Sequence, residues 1–182
     1  MERFVPSKAT ALHWVRDAGS PLGYELRDVD HPIASLHWIR HGGSLAESEI
    51  AGDSWTLKRI GFLHPVVTVR RKGGPPADAA RLTVHWRRNI IEIAGKSPTF
   101  LERAGVAIPA WQQLDSLGKR LFHVEPVAER GRLAGGTVSI DAAGRENPDL
   151  LLLLVLAWHF VVLHWTEEEL GAATTAALVA LY

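Results

Sequence analysis

The chain has 182 residues, room for one domain with a sizeable core and little more. Apolar residues make up 47% and charged residues 22%, a balance that excludes disordered and fibrous classes. The absence of cysteine excludes disulfides, thiolate metal sites, a cysteine nucleophile and palmitoylation, and a formal net charge of zero argues against nucleic acid as a partner.

The first residues, MERFVPSKATALHW, contain no unbroken apolar stretch and do not read as a secretory leader, so a cytoplasmic protein is expected. Short segments with the two-residue alternation of half-buried strands then follow one another between Gly, Pro and Asp turn signals. They are 10–15, 23–28, 33–39, 54–61, 66–71, 81–86 and 90–94, then 98–102, 110–114, 120–124 and 136–141. No amphipathic helical pattern of useful length interrupts them before residue 148, which predicts an antiparallel β domain without βαβ crossovers. Residues 72–80, KGGPPADAA, form the longest connection.

Repeats within the chain support this reading. Leu12-His13-Trp14-Val15-Arg16 returns as Leu36-His37-Trp38-Ile39-Arg40. An aromatic residue followed by Asp recurs at Tyr24 and Asp28 and at Trp111 and Asp115, where Gly118 closes the turn; Asp141 and Gly144 repeat the Asp-x-x-Gly spacing. Asp bonds its own following backbone and Gly supplies a positive φ, so each motif is read as a hairpin turn. Gly42-Gly43, Gly73-Gly74 and Gly135-Gly136 are likewise read as turn glycines rather than phosphate cradles.

Asn147, Pro148 and Asp149 carry the punctuation of a helix start, which predicts a helix over 148–165. Its stretch LLLLLVLAWHFVVLHW is apolar on every face and needs packing on all sides. At 1.5 Å per residue it spans roughly 24 Å, short of a hydrocarbon core of roughly 30 Å. It also contains His159 and His164, and Glu167, Glu168 and Glu169 follow where a span would carry basic residues. A protein-enclosed central helix is therefore expected. Thr166 and Glu169 form a capping box for a second, Ala-rich helix. The expected organisation is one domain, 1–165 with its central helix at 148–165, and an additional helix over 166–182 packed on it.

The hairpins carried by Tyr24 and Asp28 and by Trp111, Asp115 and Gly118, with Gly144-Arg145-Glu146-Asn147-Pro148-Asp149-Leu150 leading into an all-apolar helix, resemble the tubby-like superfamily. That superfamily includes the LURP-one-related proteins and the phospholipid scramblases. The resemblance covers approximately residues 8–165 and rests on degenerate motifs. It implies a mainly β (α+β) fold: a closed antiparallel β-barrel, described as twelve-stranded in the family, enclosing a hydrophobic C-terminal helix. The palmitoylated cysteine cluster, acidic calcium-binding segment and proline-rich N-terminal region of scramblases have no counterpart here, so scramblase activity is not implied. Tubby proteins bind phosphoinositides through basic residues on the barrel exterior; none of those residues is matched in this chain.

His13, His37, His85 and His164 each precede a Trp. Neighbouring side chains in a strand point to opposite faces, so a buried Trp places its His outside. No HExxH or comparable ligand spacing is present, and no metal or cofactor is expected. Asp28-Val29-Asp30-His31 is read as a hairpin turn. His159 and His164 are the polar groups of the central helix; a buried imidazole calls for a hydrogen-bond partner, since leaving one unpaired costs about 1 to 3 kcal/mol. No Ser-His-Asp order, Walker loop or dinucleotide fingerprint is present.

Charge supplies the functional hint. Residues 54–96 carry nine basic residues against Asp78 and Glu92, a net of +7, whereas 141–182 has a net of −5. Arg70, Arg71 and Lys72 and then Arg87 and Arg88 border the same long loop region, so they are expected to meet as one patch for an anionic ligand. Clustered Lys and Arg favour anionic lipid by about 1 kcal/mol each near a surface. The expected function is that of a non-enzymatic barrel module, peripheral to a membrane, binding an anionic lipid or membrane surface or a protein partner. Two other readings stay open: a small-molecule-binding or enzymatic barrel with a cavity beside the central helix, and a tail-anchored membrane protein.

Overall fold

The computed structural model describes residues 11–61, 64–105 and 110–179, the side chains of 168–179 excepted. Twelve strands come in order: β1 (Leu12–Arg16), β2 (Gly23–Asp28), β3 (His31–Trp38), β4 (Leu45–Ile50), β5 (Asp53–Ile60) and β6 (Val66–Arg71). The second half is β7 (Ala80–Thr83), β8 (Asn89–Ile93), β9 (Thr99–Ala104), β10 (Ala110–Leu114), β11 (Arg120–Glu129) and β12 (Arg132–Ile140). Each strand pairs antiparallel with the next, and β12 returns to β1 in the register Leu12↔Val138 and Trp14↔Gly136. The result is the closed antiparallel barrel expected of the sequence, a sheet with no unpaired edge.

Strand alternation fills the interior. Strand β1 buries Leu12 and Trp14 and exposes His13; β3 buries Ala34, Leu36 and Trp38. The Trp-inside, His-outside rule thus holds for both Leu-His-Trp repeats. It fails at His85-Trp86, which lies beyond the end of β7, where no sheet alternation applies and Trp86 is 99% exposed. Asp28 pairs with His31 across the β2–β3 turn, and Asp115 closes the β10–β11 turn by accepting from the N–H groups of Leu117 and Lys119, both at 2.9 Å, with Gly118 at φ +80.

Three local expectations are corrected. Strand β4 is absent from the strands read in the sequence because it turns Ala46 and Ser48 inward, small residues that leave no apolar alternation to recognise. Gly135 and Gly136 are buried in β12, not in a turn: a Cβ on Gly135 would lie 2.2 Å from the Trp14 carbonyl oxygen, and one on Gly136 would lie 2.8 Å from the Trp158 ring. They are glycine because backbone and indole approach too closely for a side chain. Asp141 and Gly144 do not form a hairpin turn either. They belong to a short helix, α1 (Ala142–Glu146), whose Gly144 packs on the Leu121 backbone.

Helix α2 (Leu150–Val179) enters the barrel where β12 ends. The Asn147 Oδ1 accepts from the Asp149 N–H at 2.9 Å, Pro148 and Asp149 make the entry turn, and Lys96 ion-pairs with Asp149. Every residue from Leu150 to Val161 is buried, a length of about 18 Å. Apolar residues all round suit a helix with strands on every side. Trp158 stacks on Trp14 with centroids 5.4 Å apart and meets Tyr24 edge-on at 5.4 Å. Stretch Leu150–Glu167 is apolar and long enough to cross a membrane, with a mean hydropathy of 1.7, and 61% of it is buried within the protein.

No second helix begins at Thr166. Helix α2 continues without a break to Val179, and the Thr166 hydroxyl donates to the Val162 carbonyl at 2.8 Å. That bond reaches back one turn within a running helix, so the hydroxyl is not available to cap a new one.

Candidate functional site at the helix-exit end

Alternating strand direction decides which residues share an end. The β2–β3, β4–β5, β6–β7, β8–β9 and β10–β11 connections lie at the end where α2 enters. The β1–β2, β3–β4, β5–β6, β7–β8 and β11–β12 connections lie where it leaves.

This order separates the basic residues expected to form one patch. Arg70, Arg71 and Lys72 end β6 at the entry end, whereas Arg87 and Arg88 follow β7 at the exit end. The paired register from Val69↔Ala80 to Val66↔Thr83 alone puts about 10 Å between them. At the entry end each of these three cations already holds a carboxylate: Arg70 with Asp78 at 2.7 Å, Arg71 with Asp53, and Lys72 with Glu47 at 2.6 Å. Arg88 pairs with Glu102 at 2.9 Å and lies 5.0 Å over the Phe100 ring. Arg87 is exposed and has no ion pair among the described residues.

The exit end carries a different set. Arg16, Arg40, Arg87, Arg130 and Arg132 are all exposed there, and none forms an ion pair among the described residues. Glu129 is the exposed carboxylate beside them; Glu167 is bound to Arg59, and Glu168 and Glu169 follow on α2. Exposed apolar groups share this end: Trp86 at 99%, Ile39 at 52% and Ile60 at 47%.

Between the departing helix and the β1–β3 and β11–β12 rim lies a cleft of about 1090 Å³. Leu22, Trp38, Leu133, Val162, Leu163 and Trp165 give it an apolar floor, and Arg16, His41, Glu129 and Arg132 stand around it. Arg16 is fixed in place. Its Nε and Nη2 donate to the Leu133 carbonyl at 3.1 and 3.0 Å, its Nη1 donates to the Pro21 carbonyl at 2.9 Å, and its guanidinium lies 5.0 Å from the Tyr24 ring centroid. Both acceptors are neutral carbonyls, so among the described residues the guanidinium charge meets no carboxylate.

The two histidines of the helix have different surroundings. His159 is fully buried, stacks on Trp38 at 5.2 Å, and has no hydrogen-bond partner on either ring nitrogen among the described residues, contrary to the expectation of a bonded imidazole. Burial, with the nearby Arg59 cation adding to it, pushes its pKa down to about 3, so the ring is neutral at pH 7. Trp38 also lines the cleft, so the Trp38 ring is stacked against His159 at the cleft floor. His164 is half-buried between Trp111 and Phe160 and does not itself line the cleft. Neither belongs to a triad, and among the described residues no three His, Cys, Asp or Glu side chains converge as a metal site would require.

Sequence reasoning found Arg87 but missed Arg16, Arg40, Arg130 and Arg132, which are scattered along the chain and become neighbours of one barrel end through topology. No family model, curated protein or solved structure matches this chain.

Proposed function

We propose that this protein is a non-enzymatic barrel module that binds the surface of an anionic membrane with its helix-exit end. The observation that carries the reading is the coincidence at one end of five exposed arginines without carboxylate partners among the described residues and a loop-tip tryptophan exposed to 99%. Indole and guanidinium groups suit the headgroup region, where Trp keeps its ring in the apolar boundary and each Arg gains about 1 kcal/mol from anionic lipid. Glu167 and the two glutamates after it oppose insertion of the helix as a span, so the contact is peripheral. A closed twelve-stranded barrel around one apolar helix also agrees with the architecture that the tubby-like resemblance implies.

The test is co-sedimentation with vesicles of neutral or of mixed neutral and acidic phospholipid. Binding is expected only to the acidic vesicles and is expected to weaken from low to high salt. Changing Trp86, Arg87, Arg40 and Arg130 to Ser, Gln, Gln and Gln is expected to reduce it at least tenfold, while Arg70→Gln with Arg71→Gln leaves it nearly unchanged. Equal binding to both vesicle types, or a dependence on Arg70 and Arg71 instead, overturns the assignment.

A further inference from the structure

We infer that the exit cleft is a binding site for one single-chain anionic amphiphile, such as a long-chain carboxylate. The cleft has the two parts such a molecule requires. Its floor is hydrocarbon and indole, from Leu22, Trp38, Val162, Leu163 and Trp165, and its volume of about 1090 Å³ accommodates an extended alkyl chain. At its edge stands a preorganised cation. Three of the five Arg16 N–H groups are committed to the Leu133 and Pro21 carbonyls, which hold the plane fixed, and two remain for an acid oxygen. Tyr24 backs the same guanidinium and donates its hydroxyl to the Leu133 carbonyl at 3.3 Å, so the cation is held before any ligand arrives.

The charge selects the class of ligand. Glu129 and Arg132 sit opposite each other across the β11–β12 turn at the rim and offset one another, which leaves Arg16 to decide. A neutral alcohol of the same chain would fill the floor equally well but leave Arg16 without a counter-charge, and a cationic amphiphile would be repelled by it. The open side of the cleft faces the same barrel end as Trp86, on the opposite side of the mouth. A ligand can therefore enter from a bound bilayer or from solution. The cleft site does not depend on membrane docking.

The experiment titrates the protein with oleate, oleyl alcohol and oleylamine below their aggregation concentrations, read by calorimetry and by tryptophan fluorescence. One oleate per chain is expected, held roughly tenfold or more tightly than the alcohol, as a charge-assisted pair would require. Arg16→Gln is expected to abolish the preference for the acid. Val162→Trp, which fills the cleft, is expected to abolish oleate binding while leaving acidic-vesicle binding in place, which separates this site from the surface reading. If that variant does not fold, quenching of tryptophan emission by a dibromostearate, competed by oleate, places the chain against Trp38 and Trp165 in the unaltered protein. Equal affinity for acid and alcohol, no saturable binding of oleate, unaltered binding in Val162→Trp, or no competed quenching overturns the inference.

Discussion

Trp158 is the position at which the enclosed helix can be tested most directly. Its indole is fully buried, parallel to Trp14 within 5°, edge-on to Tyr24, and pressed against Gly136 of β12. Trp158→Ala removes the whole ring, for which large-to-small core changes predict a loss of about 3–5 kcal/mol. The two aromatic pairs push toward the upper part of that range. Working the other way, the indole N–H has no acceptor among the described residues, and removing it relieves part of the cost of burying it. A net loss of about 3–4 kcal/mol is expected, or roughly 6–16 °C in Tm for a chain of this size. Trp158→Phe keeps a stacked ring and deletes the unpartnered N–H, so it is expected to cost less than about 1.5 kcal/mol. Guanidinium unfolding followed by fluorescence and circular dichroism, with an unchanged m-value, separates the two variants. The reasoning is refuted if the alanine variant loses less than about 1 kcal/mol, or if phenylalanine costs as much as alanine.

Two more outcomes follow from the same interior. Because the His159 pKa in the folded protein is about 3, below its ordinary value near 6.5, the unfolded chain binds a proton first, and stability present above pH 6.5 falls as the pH drops toward 3. The slope in that window is about 1.4 kcal/mol per pH unit from this group, and denaturation at pH 7 and pH 5 is expected to show a difference that His159→Leu reduces by that slope. Gly144→Ala is expected to lose about 1–3 kcal/mol in the same assay, because its Cβ would lie 2.0 Å from the Leu121 carbonyl oxygen and α1 must shift off β11; a neutral result would place α1 elsewhere.

Strands with large alternating side chains were legible in the sequence: β2, β6 and β10 match the residues read from pattern alone. Strand β4 was not, since its Ala46 and Ser48 face the interior where the helix takes up the space. The long arms of β11 and β12 were not, because Pro126, Ala128, Gly135 and Gly136 weaken strand propensity while backbone pairing carries the ladder through them. The enclosed helix was legible from its uniform apolarity, but its length was not, because a Thr in mid-helix and a Thr at a cap look the same in one dimension. The exit-end arginines show the limit most plainly. Arg16 and Leu133 are 117 positions apart, and only barrel closure makes the carbonyl of one the partner of the other.

The position of the enclosed helix also governs when this protein can fold during synthesis. All twelve strands precede it, so their inward apolar faces have nothing to close upon until residue 161 has been made. At 5–20 residues per second the stretch from Leu12 to Val161 takes roughly eight to thirty seconds to make. The β1–β12 seam must also wait, since it joins Leu12 to Val138 across nearly the whole barrel sequence. Seam closure and helix docking thus fall in one late event, and during the wait the chain presents β-strands with open edges and an unfilled lining to the cell. Surface of that kind is what holding chaperones bind, and the apolar run from Leu150 to Val161 is what ends its exposure.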